Sequence, residues 1–142
     1  MRRQLLVGLC LLAAITLIVS CAPGAPPATL EGTHWLLESY GEPGALKTPL
    51  KDGPVTLVLN LETKVLNGST GCNSYFGGYQ AENGKLTITG NIGSTKKACV
   101  PAVMTQETKY LLLLKTAQSF RIEGERLTVS GSTSQLVYKR VA

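Results

Sequence analysis

Residues 55–62 read VTLVLNLE, and their side chains alternate with a period of two. The first set of alternate positions is Val55, Leu57, Leu59 and Leu61, and the second is Thr56, Val58, Asn60 and Glu62. Successive side chains of a β-strand point to opposite faces, so this pattern predicts a strand with one buried face. Residues 86–89 (LTIT) and 127–130 (LTVS) alternate in the same way. We therefore predict a mainly β protein built from half-buried strands.

Short turns are predicted between these strands. Asn83-Gly84 lies between a strand over residues 79–82 and a strand over residues 85–89. The pair suits the positive φ angles of a two-residue type I′ hairpin. Residues 123–125 (EGE) are expected to turn the chain from 120–122 into 127–129, and residues 131–134 into 136–140. Consecutive hairpins of this kind predict an antiparallel sheet.

One segment departs from the strand pattern. Pro101 suits the first position of a helix, and no further Gly or Pro follows until after residue 117. Apolar residues then recur at spacings of three and four, which predicts a single amphipathic helix over about 101–117. The expected buried stripe contains Val103, Met104, Glu107, Tyr110, Leu111 and Leu114.

Glu107 stands out because it is a carboxyl group inside this apolar stripe. An unpaired carboxyl group is costly to bury, so Glu107 needs a partner. A functional interpretation makes it an acid at an active site. The interpretation that we favour is structural, with backbone N–H groups or a basic side chain satisfying the carboxyl group where helix and sheet meet.

The N-terminus has the form of a secretory leader. Arg2 and Arg3 precede an apolar run over residues 5–19, which is shorter than the roughly twenty residues of a membrane-spanning helix. The run ends at Ser20-Cys21, a pattern that resembles bacterial lipoproteins. The resemblance implies cleavage after residue 20 and acylation of Cys21 with chains such as palmitate, and two or more chains would anchor the protein stably. An ordinary secretory leader that happens to end beside a cysteine is the alternative.

The rest of the chain divides into two parts. Residues 21–29 form a predicted Pro-rich tether, since residues 22–29 read APGAPPAT, and residues 30–142 form one predicted domain. Without Arg2 and Arg3 the net charge falls from +5 to +3, and the remaining cations are scattered. Scattered cations do not form the basic stripe of a nucleic-acid interface, so no nucleic-acid partner is predicted.

Residues 67–79 read NGSTGCNSYFGGY and are the densest run of unusual residues in the chain. The run lacks the Lys-Ser/Thr pair of a phosphate-binding loop. Glycines among aromatic residues indicate bulges and close backbone approach in a strongly bent strand.

Several motifs together resemble the META domain family over residues 30–141. They are Trp35-Leu36-Leu37, residues 67–75 with Tyr79, residues 94–99 (STKKAC), Glu107 with Leu111 and Leu114, Leu127, and residues 136–138. The resemblance implies a strongly curved antiparallel sheet, or cracked β-barrel, with one helix. It also implies a role in envelope stress or antibiotic tolerance and no known reaction. The family motif residues are Trp35, Gly71, Cys72, Asn73, Tyr75, Thr95, Cys99 and Glu107.

The four cysteines are expected to have different roles. Cys10 leaves with the leader and Cys21 carries lipid, so Cys72 and Cys99 remain as a pair in an exported, oxidising setting. A disulfide is expected, and it would stabilise the fold by roughly 3.5 kcal/mol in the chain-entropy model. The alternatives are a reactive thiol activated by the neighbouring lysines at 96 and 97, or two buried reduced cysteines.

The sequence contains few of the residues that catalytic and metal sites require. His34 is the only histidine and Asp52 the only aspartate, so a Ser–His–Asp triad would need both to converge on one serine. Zinc sites usually need three or four ligands. We therefore predict a non-catalytic lipoprotein without a cofactor or metal, held at the cell-envelope membrane through Cys21 and facing the periplasm or exterior. It would bind or support an envelope protein; the alternative is a carrier of a lipid or hydrophobic ligand in a cracked-barrel cavity.

Overall fold

A computed structural model describes residues 26–141. The predicted leader, Cys21 and the first part of the predicted tether lie outside the described residues, and the predicted division at 1–20, 21–29 and 30–142 stays a prediction. The described residues form nine strands and one helix. They are β1 (His34–Glu42), β2 (Ala45–Lys47), β3 (Thr56–Asn60), β4 (Val65–Ser69), β5 (Ser74–Glu82), β6 (Lys85–Ser94), α1 (Pro101–Lys115), β7 (Ser119–Glu123), β8 (Arg126–Ser130) and β9 (Gln135–Val141).

The strands form one antiparallel sheet that curves into a ring. Each strand from β3 to β8 pairs with the next, and β9 returns to β1 over the register from His34↔Val141 to Gly41↔Gln135. The short β2 extends one edge of β1, beyond the two residue pairs that join β1 to β3. The predicted mainly β fold with a curved sheet and one helix is confirmed.

The ring is not a regular barrel because β6 and β7 barely meet. Their strands share the single pair Lys85↔Ser119. Two further backbone bonds flank it, from Leu86 N to Gln118 O and from Phe120 N to Gly84 O. The helix α1 connects β6 to β7 along the chain, at this weak point of the ring.

Because successive strands run in opposite directions, the connections between them lie at two ends of the ring. The N-terminal end carries the start of β1, the end of β9, and the connections at 61–64, 83–84 and 124–125. The helix end carries the connections at 48–55, 70–73 and 131–134, together with α1. Residues 26–33 cover the N-terminal end, where Arg140 Nη1 donates to Pro26 O at 2.7 Å and Trp35 Nε1 donates to Leu30 O at 3.1 Å.

Large side chains fill the interior of the ring. The bulkiest fully buried ones are Trp35, Tyr75, Tyr79, Tyr110 and Tyr138, and leucines surround them. Tyr110, from α1, meets Tyr75 edge to face, with ring centroids 5.6 Å apart. Val55, Leu57 and Leu59 of the predicted apolar face are buried inside the ring, whereas Leu61 is 60% exposed because β3 ends at Asn60 and Leu61 lies in the following turn.

The predicted hairpin at residues 83–84 is present, and the glycine-rich run over residues 67–79 is divided between two strands. Asn83 and Gly84 have φ angles of 49° and 78°, which confirms the type I′ hairpin. The run over residues 67–79 is not a single strand, because it forms the end of β4, a loop and the start of β5. The predicted bulge is confirmed, since the register of β5 with β6 shifts between Phe76 and Gly78. Close backbone approach is confirmed at Gly68, where a Cβ atom would overlap the backbone carbonyl of Thr56 on β3.

The predicted helix is confirmed, with two corrections. It ends at Lys115 rather than near 117, because the N–H groups of Thr116 and Ala117 bond the carbonyls three residues back and tighten the last turn. The buried face also differs from the predicted stripe. Met104 and Leu111 are only half-buried, whereas Gln106 and Leu113 are buried.

Candidate functional site: the motif cluster at the helix end

Six of the eight family motif residues meet at the helix end of the ring, and we call them the motif cluster. They are Gly71, Cys72 and Asn73 from the β4–β5 loop, Thr95 and Cys99 from the linker before α1, and Glu107 from α1. The other two lie in the core. Trp35 anchors the start of β1, and the Tyr75 hydroxyl donates to Thr56 O at 2.8 Å.

A disulfide joins the two sides of the motif cluster. Cys72 and Cys99 are bonded, with their Cα atoms 6.1 Å apart. The expected disulfide is confirmed, and the alternatives of a reactive thiol or a reduced pair are wrong. The bond fixes the linker of residues 95–100 to the β4–β5 loop, directly before the first turn of the helix.

Asn73 is the centre of the hydrogen bonds. Its Oδ1 accepts from the backbone N–H of Lys97 at 2.8 Å and from the hydroxyl of Thr95 at 2.7 Å. Its Nδ2 donates to both carboxyl oxygens of Glu107, at 3.1 and 3.0 Å. One buried amide therefore holds both the linker and the helix, using its donor and acceptor sides at once.

Glu107 is buried and hydrogen-bonded, as predicted, with 7% of its surface exposed. Its second partner is the buried hydroxyl of Thr70, which donates to Oε2. The expected type of partner is wrong, because these are a side-chain amide and a hydroxyl rather than backbone N–H groups or a basic side chain. The neighbouring lysines at 96 and 97 are exposed to solvent instead, where their charges stay hydrated.

Gln106 also belongs to this region, although the sequence analysis missed it. Its Oε1 accepts from Leu50 N at 2.7 Å and its Nε2 donates to Gly53 O at 2.9 Å. These bonds fasten α1 to the β2–β3 connection. The signal that identifies it is spacing, since Gln106 lies three residues after Val103 and four before Tyr110 on the buried face.

The chemistry of the motif cluster is that of a structural clamp. Among the described residues, every buried side-chain nitrogen and oxygen atom has a hydrogen-bond partner. No group of three His, Cys, Asp or Glu side chains with the spacing of a metal site occurs between residues 26 and 141. His34 lies at the start of β1, at the N-terminal end. The polar groups of the motif cluster are thus used to bind the helix to the ring.

A chain of tyrosine hydroxyls lies beneath the motif cluster. Tyr110 is 2.6 Å from the hydroxyl of Tyr75 and 3.1 Å from that of Tyr138. Burial raises the pKa of Tyr110 to about 12 and raises the pKa values of Tyr75 and Tyr138 well above their usual range. The three phenols therefore stay protonated at neutral pH and act as hydrogen-bonding groups.

No helix within residues 26–141 has the length and apolar character that crossing a membrane requires. This finding concerns the described part of the chain alone.

Comparisons with known proteins agree with this architecture. The model of the META domain family matches residues 28–142. A protein from Burkholderia xenovorans solved by NMR is 26% identical, with a TM-score of 0.67 and coverage of 85% of this chain and 94% of that chain. A DUF4847 family protein from Bacteroides vulgatus is 10% identical, with a TM-score of 0.57 over 78% of this chain and 93% of that chain, so this likeness concerns the fold alone. No curated protein matches the chain.

Proposed function

Because this chain belongs to the META domain family, we propose that it is a lipid-anchored, non-catalytic lipoprotein of the bacterial cell envelope. Acyl chains on Cys21 hold it to a membrane, and the domain faces the periplasm or the exterior. There it binds or supports another envelope protein, in the setting of envelope stress or antibiotic tolerance that the family resemblance implies.

Anchoring is supported by the leader pattern and by the position of the chain at the N-terminal end. Arg2, Arg3 and the apolar run lead to Ser20-Cys21, and Pro26 emerges at one end of the ring, bonded to Arg140. A linker rich in proline and small residues between Cys21 and the ring acts as a spacer. The anchor and the domain are therefore separate functional parts.

The packed interior of the ring is the observation that favours a binding module over a ligand carrier. Trp35 and the tyrosines at 75, 79, 110 and 138 are each at most 1% exposed. A hydrophobic ligand inside the ring would have to displace these side chains, and close-packed cores resist such changes. The surface of the domain is thus the part available for binding.

Metabolic labelling tests the anchor. The full chain is expressed in a bacterium that is fed an alkyne analogue of palmitate, and the purified protein is tested for the label. We expect label on the wild type and on Cys10→Ser, which keeps the acylation site, and none on Cys21→Ser. Label that persists on Cys21→Ser, or an unlabelled wild type, would refute anchoring through Cys21.

Lipid analysis tests the choice between binding module and carrier. Protein expressed from residue 22, which lacks both the leader and the acylation site, is purified without detergent and its bound lipids are extracted for mass spectrometry. We expect no lipid at a ratio near one per protein molecule. Stoichiometric lipid of one mass would favour the carrier.

A further inference from the structure

Positive charge is concentrated at the helix end of the ring. Six of the twelve Lys and Arg residues between 26 and 141 lie there, and all six are exposed lysines. They are Lys47, Lys51, Lys96, Lys97, Lys109 and Lys115. The same end holds three acidic residues, Glu42, Asp52 and the buried Glu107. We call this region the lysine surface.

The rest of the domain is balanced in charge. Six basic and six acidic residues lie on the strands and connections toward the N-terminal end. Both ion pairs among the described residues occur there, Arg121–Glu123 and Arg126–Glu38, each at 3.2 Å. The net charge of +3 that remains without the leader arginines therefore arises at the lysine surface, where the described residues form no ion pair.

The lysine surface also carries exposed apolar side chains. Val100 is 64% exposed and Leu112 is 57% exposed, and Leu46 and Leu50 lie near the same end. A groove of about 440 Å³ runs between α1 and the β1–β2 hairpin. Its walls include Lys47 and Lys109, with Tyr40, Thr105 and one carboxylate, Glu42. Apolar contacts combined with unpaired cations suit a ligand that is both acidic and apolar.

We propose that the lysine surface is a docking site for an acidic, leucine-containing segment of an envelope protein, seated along the groove between α1 and the β1–β2 hairpin. The partner's carboxylates meet Lys47 and Lys109, and its apolar side chains cover Leu112. This inference rests on the proposed function and names the chemistry of its partner.

The position of the anchor favours a protein over the anchoring membrane as the occupant. Pro26 lies at the N-terminal end, and the five residues back to Cys21 reach at most about 18 Å. A nine-residue strand such as β1 spans roughly 30 Å before tilt. An anchor on Cys21 therefore holds the N-terminal end toward the bilayer and the lysine surface away from it.

A peptide-binding assay tests the proposal. Acylated protein in phosphatidylcholine nanodiscs is titrated against a fluorescein-labelled peptide of Glu-Leu-Glu-Glu repeats, with Ser-Leu-Ser-Ser repeats as the neutral control. The test variant is Lys47→Glu with Lys109→Glu. The matched variant, Lys64→Glu with Lys85→Glu, makes the same change in net charge at two exposed lysines that lie together at the N-terminal end, outside the lysine surface. The melting temperature of each variant is measured first, to establish that it folds.

We expect the acidic peptide to bind the wild type and the Kd to rise about tenfold or more in the test variant, since each reversed charge turns an attraction into a repulsion. The matched variant should bind within about twofold of the wild type, because its two exposed charges lie at the opposite end of the ring and are screened by salt. Absence of binding to the wild type would overturn the proposal, and so would equal weakening by both variants.

Binding to lipid vesicles tests whether a membrane, rather than a protein, occupies the lysine surface. If protein expressed from residue 22, without leader or acyl chains, binds phosphatidylglycerol vesicles through Lys47 and Lys109 but does not bind the peptide, the occupant is a lipid surface and the proposal is overturned. Peptide binding by the protein expressed from residue 22 would support the docking site even where labelling refutes the anchor. The two proposals can therefore fail separately.

Discussion

Replacement of Glu107 by alanine is the most direct test of the motif cluster. The substitution removes the acceptor for the side chains of Asn73 and Thr70. Each of these buried donors keeps one alternative acceptor in the variant. Asn73 Nδ2 lies 3.3 Å from Lys97 O, and the Thr70 hydroxyl lies 3.0 Å from Asn73 O. An orphaned buried donor costs 1–3 kcal/mol, so we assign about 1 kcal/mol to each.

Loss of the Glu107 methylene contact adds about 0.8 kcal/mol. The free energy of unfolding of Glu107→Ala should therefore fall by about 3 kcal/mol. For a domain of this length, this fall corresponds to a decrease in melting temperature of about 10 °C. Glu107→Gln keeps one acceptor for Asn73 and should lose only about 1 kcal/mol.

Calorimetry and urea denaturation of the oxidised protein measure these changes. Thr108→Ala is the matched control, because Thr108 is the exposed next residue on the same helix, and it should stay within about 0.5 kcal/mol of the wild type. A melting temperature of Glu107→Ala within about 2 °C of the wild type would refute the clamp. A loss of stability in Thr108→Ala as large as that in Glu107→Ala would also refute the clamp.

Three further predictions concern the disulfide, the glycine contact and the tyrosine chain. Cys72→Ala with Cys99→Ala should lower the free energy of unfolding by roughly 2–5 kcal/mol, and two titratable thiols in denatured, unreduced mature protein would contradict the bond. Gly68→Ala forces a Cβ atom into the backbone of β3 and should cost about 3 kcal/mol in urea denaturation. Gly77→Ala, whose Cβ atom would lie 3.4 Å from its nearest neighbour, should stay within about 1 kcal/mol; equal losses would contradict the contact. Because Tyr110 keeps its proton in the folded state up to a pKa of about 12, against 10.0 in the unfolded chain, its contribution to stability is complete below pH 10 and is lost as the pH rises to 12. Tyr110 should contribute about 3 kcal/mol to the fall that rapid urea denaturation measures between pH 9 and 12, in addition to the contributions of Tyr75 and Tyr138. The fall should therefore be smaller in Tyr110→Phe, and identical pH profiles would contradict this prediction.

Local patterns predicted most of the elements. Alternation over residues 55–62 corresponds to β3, the Asn83-Gly84 pair forms the expected hairpin, and Pro101 begins the helix. These features depend on neighbouring residues, because the period of the side chains and the φ angles of a turn are properties of a short segment. Counting cysteines led to the expected disulfide, since two of the four were assigned to the leader and the anchor, but it left a reactive thiol and a reduced pair open.

Tertiary structure was needed wherever the partners lie far apart in sequence. The pairing of His34 with Val141 closes the ring, and Asn73 meets Glu107 across 34 residues. The burial of Glu107 was predictable from its helical spacing, but its partners were not, because any polar group near the helix satisfies the same requirement. The gathering of six lysines at one end has the same origin, since only the packing of the strands and α1 brings residues 47 and 109 to one groove.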